Sequence, residues 1–557
     1  MGNAADSQLA RVTALSTTDR MPAPIVQVRT RIPYDLAVVL VLAALLIGAA
    51  ALRQEFLGDG IRHLPAILSR RLTLGEPRWL LFPALATLWI RLLSGFGFVG
   101  GGEAVLRALI ALSVASGALF LLCLRRWIRA ECSDARRSAA ALLLAGSCAP
   151  FLILFSDIAE PQLAAAIAVA GLVYARIRRD DAARARASAM CAILAIAVAA
   201  LIYQGVILAF GMLPLVVSMK AVDLRRVIIA TCLAVLGVMG LMVGAQTATG
   251  VRPITAVTTT VRGEPNPLTR SFMASASPPK YVAAALAGPP QGIVALENFS
   301  GLRALVSSLR GSDRSAAMAS VRNLLLLMVG AVVTAMLVAR GVRDRQWWVL
   351  AAAAILLTLP IFRNQQYGYV KFYILWPIPV ALLATRCRPR RILIAALVVL
   401  GLNGWLVTEQ IRQGRKNYTL ARAAYANATT STCWLTSGWS PPFPYLWPGT
   451  VTPILGTLAT GTDPDVQSRR LTASLRQCLC DSTSVWADTT IRDVEVVRSI
   501  ASHFDYQASD WSSVLIDQSA ASGQPMPGVL LYPNAARERA CRDGVRRGSD
   551  GGQTGAR

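Results

Sequence analysis

The chain has 557 residues, 54% of them hydrophobic, and a formal net charge of +25. This composition excludes an ordinary soluble enzyme, because soluble domains contain a smaller share of apolar residues. It also excludes nucleic-acid binding as the reason for the charge, since the cations lie in short loops between apolar runs. Cations placed in this way set the orientation of a membrane protein and contact anionic lipid.

Apolar runs follow one another from residue 35 to residue 407. We expect about eleven membrane-spanning helices, at 35–52, 104–124, 138–155, 161–176, 187–203, 205–219, 227–246, 323–340, 347–362, 371–385 and 391–407. Arginine-rich clusters occur between them at 125–137, 176–186, 220–226, 340–345 and 386–391. Two of the alternate turns, at 156–162 and at 203–204, contain no lysine or arginine. The positive-inside rule therefore places the N-terminus in the cytoplasm and the C-terminus outside.

One further apolar run, at 79–93, contains Arg91 and is broken by Pro83. We interpret it as a helix that lies in the outer interface. The alternative is a twelfth span, which would make the cluster at 125–137 and every later cluster face outward, against the positive-inside rule.

The chain is therefore predicted to be an all-α polytopic membrane protein with a small extracytoplasmic C-terminal domain of α/β or α+β type. Residues 1–34 form a cytoplasmic tail, and 35–407 form the transmembrane domain with a first outer loop at 53–103 and a large outer loop at 247–322. Residues 408–542 form the C-terminal domain, and the Gly/Arg/Asp-rich residues 543–557 are predicted to be disordered.

The C-terminal domain contains strand candidates at 485–487, 514–516 and 529–532, and a helical stretch at 493–500. It also carries four cysteines that could form two disulfides outside the cell, namely Cys433, Cys478, Cys480 and Cys541. Cys478 and Cys480 are too close in sequence to pair easily with each other. The chain has two histidines, which argues against a histidine-built metal site.

Two outer turns carry residues of chemical interest. Asp59, between two glycines just after the first span, could take a proton from an acceptor or hold a metal, or it could be a solvated turn residue. Tyr203 and Gln204 separate two spans without any charge, so they either line a cavity, since lipid-facing Gln is costly, or form a tight outer turn.

Three segments together resemble the GT-C superfamily of membrane glycosyltransferases, which includes oligosaccharyltransferases, protein O-mannosyltransferases and lipid A aminoarabinose transferases. In the first outer loop, Asp59 is followed by Gly75-Glu-Pro77-Arg78 and by a span that ends in two arginines. The turn Ser156-Asp157-Ile-Ala-Glu160 is similar to the second acidic position of the family. The segment from Arg363 to Pro377 is similar to its late loop. The chain departs from the family at the first motif, where Asp59 has only Glu55 nearby, and where His-Pro-Pro-Leu is replaced by Glu-Pro-Arg-Trp-Leu.

The resemblance implies transfer of a sugar from a polyprenyl-phosphate donor to an envelope glycan, lipid or protein. It implies that Asp59 is the base and that Asp157, Glu160 and Glu55 orient the acceptor or the sugar. It implies that the donor phosphate is bound by Arg363, Lys371 and Arg78. The cavity would be lined by Tyr203, Gln204, Tyr367 and Tyr369. Without a catalytic role, these carboxylates would be solvated loop residues, and the cations would reach the lipid headgroups. A cofactor, including a divalent metal, remains unknown.

The scarcity of lysine, present at four positions, indicates GC-rich bacterial coding and hence a bacterial inner membrane. Two other functions stay open. An O-antigen polymerase or ligase would use the arginines of the large outer loop and would not need Asp59. A transporter or scaffold for envelope assembly is the non-enzymatic alternative.

Overall fold

The computed structural model describes residues 33–54, 63–70, 72, 74, 79–99, 102–158, 160–217, 224–248, 253–254, 256–257, 288–295, 314–364, 373–424, 429–436, 450–453, 477–481, 484–488 and 528–531. The chain divides into two units, Met1–Pro33 and Tyr34–Arg557. Apart from Pro33, all described residues belong to the second unit.

The described elements are mainly helical. In chain order the helices are α1 (Tyr34–Leu52), α2 (Leu64–Leu68), α3 (Phe82–Gly95), α4 (Gly102–Glu131), α5 (Ala135–Ser147), α6 (Ala149–Leu154), α7 (Pro161–Arg178), α8 (Ala182–Ile202), a 3₁₀ helix (Gln204–Met212), α9 (Leu213–Val216), α10 (Leu224–Ala248), α11 (Arg314–Arg343), α12 (Trp347–Asn364), α13 (Pro377–Ala384) and α14 (Pro389–Ala424). The strands are β1 (Thr432–Thr436), β2 (Thr450–Pro453), β3 (Ser484–Asp488) and β4 (Gly528–Leu531).

Within the described part of the chain, six helices are long and apolar enough to cross a membrane. They are Tyr34–Leu52, Gly102–Glu131, Arg184–Ile202, Arg225–Ala248, Val321–Arg343 and Pro389–Lys416. Their outward faces carry large exposed side chains such as Leu194, Leu236 and Val332, as expected for surfaces that contact lipid. The predicted class, a mainly helical multi-pass membrane protein, is confirmed for the described residues.

Two of the predicted spans are not single α-helices. The run predicted at 138–155 is divided into α5 and α6, because Cys148 takes an extended conformation and Pro150 opens the second helix. The run predicted at 205–219 is a nine-residue 3₁₀ helix followed by the four-residue α9. Pro214 falls in α9, whose first turn tolerates a residue without an N–H group.

Helix α3 occupies the run that we predicted to lie in the interface. It has 14 residues and is therefore about 21 Å long, which is shorter than the ~30 Å hydrocarbon core of a bilayer. The indole Nε1 of Trp89 donates to the carbonyl of Ala108 at 2.8 Å and so ties α3 to α4.

Small residues allow the inner helices to approach closely. A Cβ atom on Gly171 of α7 would meet Ala195 and Ala192 of α8, and one on Gly117 of α4 would meet Leu46 of α1 and Phe155. Close contact between backbones through small side chains is the usual way in which membrane helices associate. The core beside α4 is filled by the rings of Phe120, Phe151 and Phe155, which pack against one another at tilted angles of 38–50°.

The described strands form one four-stranded sheet in the order β2-β1-β3-β4. β1 pairs in parallel with β2 and β3, whereas β3 and β4 are antiparallel. The candidates at 485–487 and 529–532 coincide with β3 and β4, while those at 514–516 and 493–500 lie outside the described residues. β1 and β2 were missed because Thr432–Thr436 reads as part of an aromatic-rich loop.

Helix α14 continues for seventeen residues beyond the predicted domain boundary at Val407, as far as Ala424. Charged and polar helix formers after Val407 extend the helix out of the apolar region. Near its far end, Arg415 Nε donates to the carbonyl of Leu52 at 3.1 Å, which joins α14 to the end of α1.

Candidate active site

The arginine clusters meet at one end of the helix bundle, here called the arginine end. Arg176, at the end of α7, donates to Glu131 at the end of α4, with Nε and Oε1 2.6 Å apart. Arg340, near the end of α11, donates from Nε to the carbonyl of Arg386 at 2.8 Å. Clusters far apart in sequence therefore lie on the same side, as the alternation of charge predicts.

The start of α1 is fixed at the same end. The carboxylate of Asp35 accepts hydrogen bonds from Arg125 Nε at 2.7 Å and from Arg129 Nε and Nη2 at 2.8 and 2.9 Å. Two guanidinium groups share one buried carboxylate, so the cluster keeps a net positive charge. These bonds join α1 to the last turns of α4.

At the opposite end, the loop that follows α1 meets the turn at 156–162, here called the acidic turn. Arg53, the first residue after α1, is 2% exposed. Its Nη2 donates to Ser156 Oγ at 3.2 Å, and its Nη1 is 3.6 Å from Oδ2 of Asp157, which is 1% exposed. Arg107 of α4 donates to the carbonyl of Arg53 at 2.9 Å. A buried ion pair thus fastens the start of the outer loop to the acidic turn.

A second pair joins the loop to the same turn. His63 Nε2 lies 3.4 Å from Oε1 of Glu160, whose side chain is fully buried. The imidazole packs edge-on against the ring of Trp79 and against Phe82, with centroids 5.4 Å apart in both cases. Neither carboxylate oxygen of Glu160 has a hydrogen-bond partner among the described residues. His63 is therefore the polar neighbour of a carboxylate in an apolar pocket.

Local sequence explains the shape of the acidic turn. The backbone N–H of Asp157 donates to the carbonyl of Leu154 at the end of α6, and its carboxylate accepts from the N–H of Ile158 at 2.7 Å. Gln162 Nε2 donates to the same Leu154 carbonyl at 2.6 Å. Pro161 opens α7, where its missing N–H has no cost. Glu160 precedes that helix, so its charge is favoured by the helix dipole.

A small groove adjoins the acidic turn between α3, α4 and α7. Its lining is mostly apolar and includes Phe82, Leu109, Leu112, Ser113, Ser116, Ile158, Gln162 and Leu163. The buried Oε1 of Gln162 has no hydrogen-bond partner among the described residues. An apolar surface and a set of buried charges therefore lie side by side at this end.

Solved structures of two membrane proteins are similar in fold. The Archaeoglobus fulgidus oligosaccharyltransferase, tethered to an acceptor peptide, is 12% identical, with a TM-score of 0.44 over 84% of this chain and 70% of that chain. ArnT from Cupriavidus metallidurans, bound to undecaprenyl phosphate, is 13% identical, with a TM-score of 0.42 over 82% of this chain and 93% of that chain.

No protein-family model matches this chain, and no curated protein matches it in sequence. The oligosaccharyltransferases are among the proteins that the sequence resembles, and one of them is among these similar structures.

Of the predicted site residues, the structure brings Asp157 and Glu160 together with Arg53 and His63. Neither is a solvated loop carboxylate, because both are buried and paired. Seven predicted residues lie outside the described part of the chain: Glu55, Asp59, Arg78, Tyr367, Tyr369, Lys371 and Cys541. Arg363 belongs to α12, and its side chain is outside the described residues.

Tyr203 lies between α8 and the 3₁₀ helix, Gln204 is the first residue of that 3₁₀ helix, and both are buried. The N–H of Leu81 donates to the carbonyl of Leu201 at 3.0 Å, so this turn lies next to the segment before α3. The pair packs in the core, and it does not line the groove described above.

Arg53 and His63 are contacts of the site that we did not predict. In the sequence, Arg53 is one of many arginines next to a span end, and His63 is one of two histidines. Their common signal is position, because they flank the Gly-Asp-Gly sequence on either side. Among the described residues no group of three or more His, Cys, Asp or Glu side chains could hold a metal ion.

Proposed function

We propose that the chain is a membrane glycosyltransferase that moves a sugar from a polyprenyl-phosphate donor to an envelope acceptor on the extracytoplasmic face. The observation that carries the proposal is the contact of Arg53 and His63 with the acidic turn, at the end opposite the arginine end. Such a transfer needs a base near the acceptor and cations near the departing phosphate. Carboxylates held at one membrane-facing end suit the first requirement.

We assign the base to Asp59. It lies four residues before His63, and a chain spans at most about 3.6 Å per residue, so their Cα atoms are no more than about 14 Å apart. Asp157 and Glu160 then have two roles, namely holding Arg53 and His63 on either side of Asp59 and orienting the acceptor or sugar. Glu55 is assigned to the same orienting group.

The donor phosphate is assigned to Arg363 and Lys371, with Arg78 as a third cation. Helix α12 begins at Trp347, directly after the cluster that includes Arg343. Sixteen residues further on, a helix has risen by about 24 Å, which carries Arg363 to the opposite end. Guanidinium and ammonium groups are the usual ligands of phosphate oxygens.

Two observations support an extracytoplasmic site. The far part of α14 meets the end of α1 through Arg415, and the sheet follows α14 in the chain. In that sheet region Cys433 and Cys480 are both disulfide-bonded. Because disulfides persist in oxidising compartments, the end opposite the arginines is assigned to the outside of the cell.

The test is transfer by the purified protein in liposomes. The donors are undecaprenyl-phosphate-linked radiolabelled glucose, mannose and 4-amino-arabinose, and the acceptors are extracts of the cell envelope. We expect label to move from the lipid carrier to an acceptor and free undecaprenyl phosphate to accumulate. A chain that polymerises or ligates diphosphate-linked glycans, and ignores all three monophosphate donors, would contradict the proposal.

A further inference from the structure

A piece of the large outer loop enters the interior of the helix bundle. Residues 288–295, here called the re-entrant segment, begin with a short helical stretch, and the N–H of Val294 donates to the carbonyl of Pro290 at 2.9 Å. From Pro290 to Ala295 all side chains are buried. Helices α10 and α11, which precede and follow the loop, have their arginine clusters at the other end, so the segment enters from the outer side.

Asn403 of α14 holds this segment by three hydrogen bonds. Its Oδ1 accepts from the N–H of Ala295 at 3.0 Å, and its Nδ2 donates to the carbonyl of Ile293 at 2.8 Å. The same Nδ2 also donates at 2.8 Å to the carbonyl of Ser147, the last residue of α5. One fully buried amide therefore satisfies three backbone groups in two separate segments, the re-entrant segment and the end of α5.

Helix geometry places these contacts near the middle of the membrane. Asn403 is twelve residues beyond Arg391, and Ser147 is ten residues beyond Arg137, both counted from the arginine end. The corresponding rises are about 18 and 15 Å, or roughly half of a ~30 Å hydrocarbon core. Non-helical backbone is tolerated at that depth only when protein groups form hydrogen bonds with its N–H and C=O groups. Asn403 forms such bonds with Ile293 and Ala295.

Two glycines show how tightly the segment is seated. A Cβ atom on Gly292 would come within 2.6 Å of the indole of Trp376, and one on Gly330 of α11 would overlap the backbone of Pro290. Trp376 follows Lys371, a proposed phosphate ligand, by five residues. The re-entrant segment thus packs against the chain that leads out of the proposed donor-phosphate segment.

We propose that Asn403 is a positioning residue, which anchors the re-entrant segment and thereby holds it against Trp376, five residues after the proposed phosphate ligand Lys371. The effect on the reaction rests on the proposed function, whereas the anchoring itself does not. Loss of the anchor should therefore weaken binding of the lipid-linked donor more than it slows the chemical step.

The anchoring is tested by labelling a cysteine with a membrane-impermeant maleimide in intact cells. Val294→Cys replaces a fully buried side chain, and Ile254→Cys replaces one in the same loop that is 83% exposed. Modification at each position is read by peptide mass spectrometry. We expect rapid labelling at position 254 and protection at position 294.

Two independent variants should release the segment. Asn403→Leu removes all three hydrogen bonds at nearly constant volume, and Gly330→Ala displaces the segment without touching Asn403. Each should speed labelling at position 294 by about tenfold or more, as expected for local opening that becomes ~1.4 kcal/mol easier. Gly401→Ala on α14 is the matched control, because a Cβ atom there meets nothing within 4 Å, and it should leave the protection unchanged.

The reaction is tested with the same variants in liposomes. Asn403→Leu should raise the KM for the undecaprenyl-phosphate donor by about fivefold or more, with a smaller change in kcat. Equal labelling at positions 294 and 254 in the otherwise native protein would overturn the anchoring. So would protection that persists in both Asn403→Leu and Gly330→Ala. Released labelling with an unchanged KM would overturn the positioning role, and labelling alone decides the anchoring if no transfer is found.

Discussion

The ion pair between Arg53 and Asp157 should be one of the strongest single contacts at the outer end. The two charged groups are 3.6 Å apart, and both side chains are nearly inaccessible to solvent. At an effective dielectric constant of about 20, their attraction is about 5 kcal/mol, much of which offsets desolvation. Removing one partner leaves the other charge buried, which typically costs about 3–5 kcal/mol.

The perturbation is a double-mutant cycle with Asp157→Asn, Arg53→Gln and the combined variant, each purified in mild detergent. Unfolding is followed by titration with a denaturing detergent. We expect each single change to lower the free energy of unfolding by about 3–5 kcal/mol, and the double variant to lose less than the sum by about 2 kcal/mol or more. Single losses below about 0.5 kcal/mol, or strictly additive losses, would refute the argument that this pair fastens the outer loop.

Three further outcomes follow from the contacts. Glu160→Gln and His63→Asn should each lower kcat/KM for sugar transfer by about 10²-fold or more. The double variant should lose little more than either single variant, because the pair acts as a unit. A double variant whose loss equals the product of the two single losses would contradict this. Asp35→Asn should lower the free energy of unfolding by about 1–3 kcal/mol without changing the transfer rate per folded molecule, since it lies at the arginine end; a selective loss of activity would contradict this. Burial raises the pKa of the Cys387 thiol, so less thiolate is present near pH 8. Alkylation of Cys387 by iodoacetamide should therefore be about tenfold slower than alkylation of the more accessible Cys132. Equal rates at the two cysteines in the native protein would contradict this.

Periodic charge and apolar run length were sufficient to predict the helical membrane class and the shared side of the arginine clusters. They could not predict helix breaks, because a run such as 138–155 reads as continuous apolar sequence, although Cys148 and Pro150 interrupt it. They also could not predict the re-entrant segment. Its burial depends on Asn403, which lies more than a hundred residues away in sequence.

At the site, the sequence predicted the two carboxylates of the acidic turn but not their partners. Asp157 and Glu160 stand out because the turn lacks cations, whereas Arg53 and His63 become informative only when the fold brings them to that turn. The burial of Asp157 and Glu160 could not be predicted from the sequence either, since short loops between spans are usually solvated. The assignments of Asp59, Lys371 and Arg78 remain predictions from the sequence.

The most direct measurement is the release of free undecaprenyl phosphate from its sugar-linked form by protein in liposomes, compared between the native chain and Asp59→Asn. We expect turnover by the native chain and a loss of about 10²-fold or more in the variant, with unchanged unfolding in detergent. Equal turnover by both proteins would contradict the assignment of Asp59, and the absence of turnover by the native chain with every donor tested would contradict the proposed reaction.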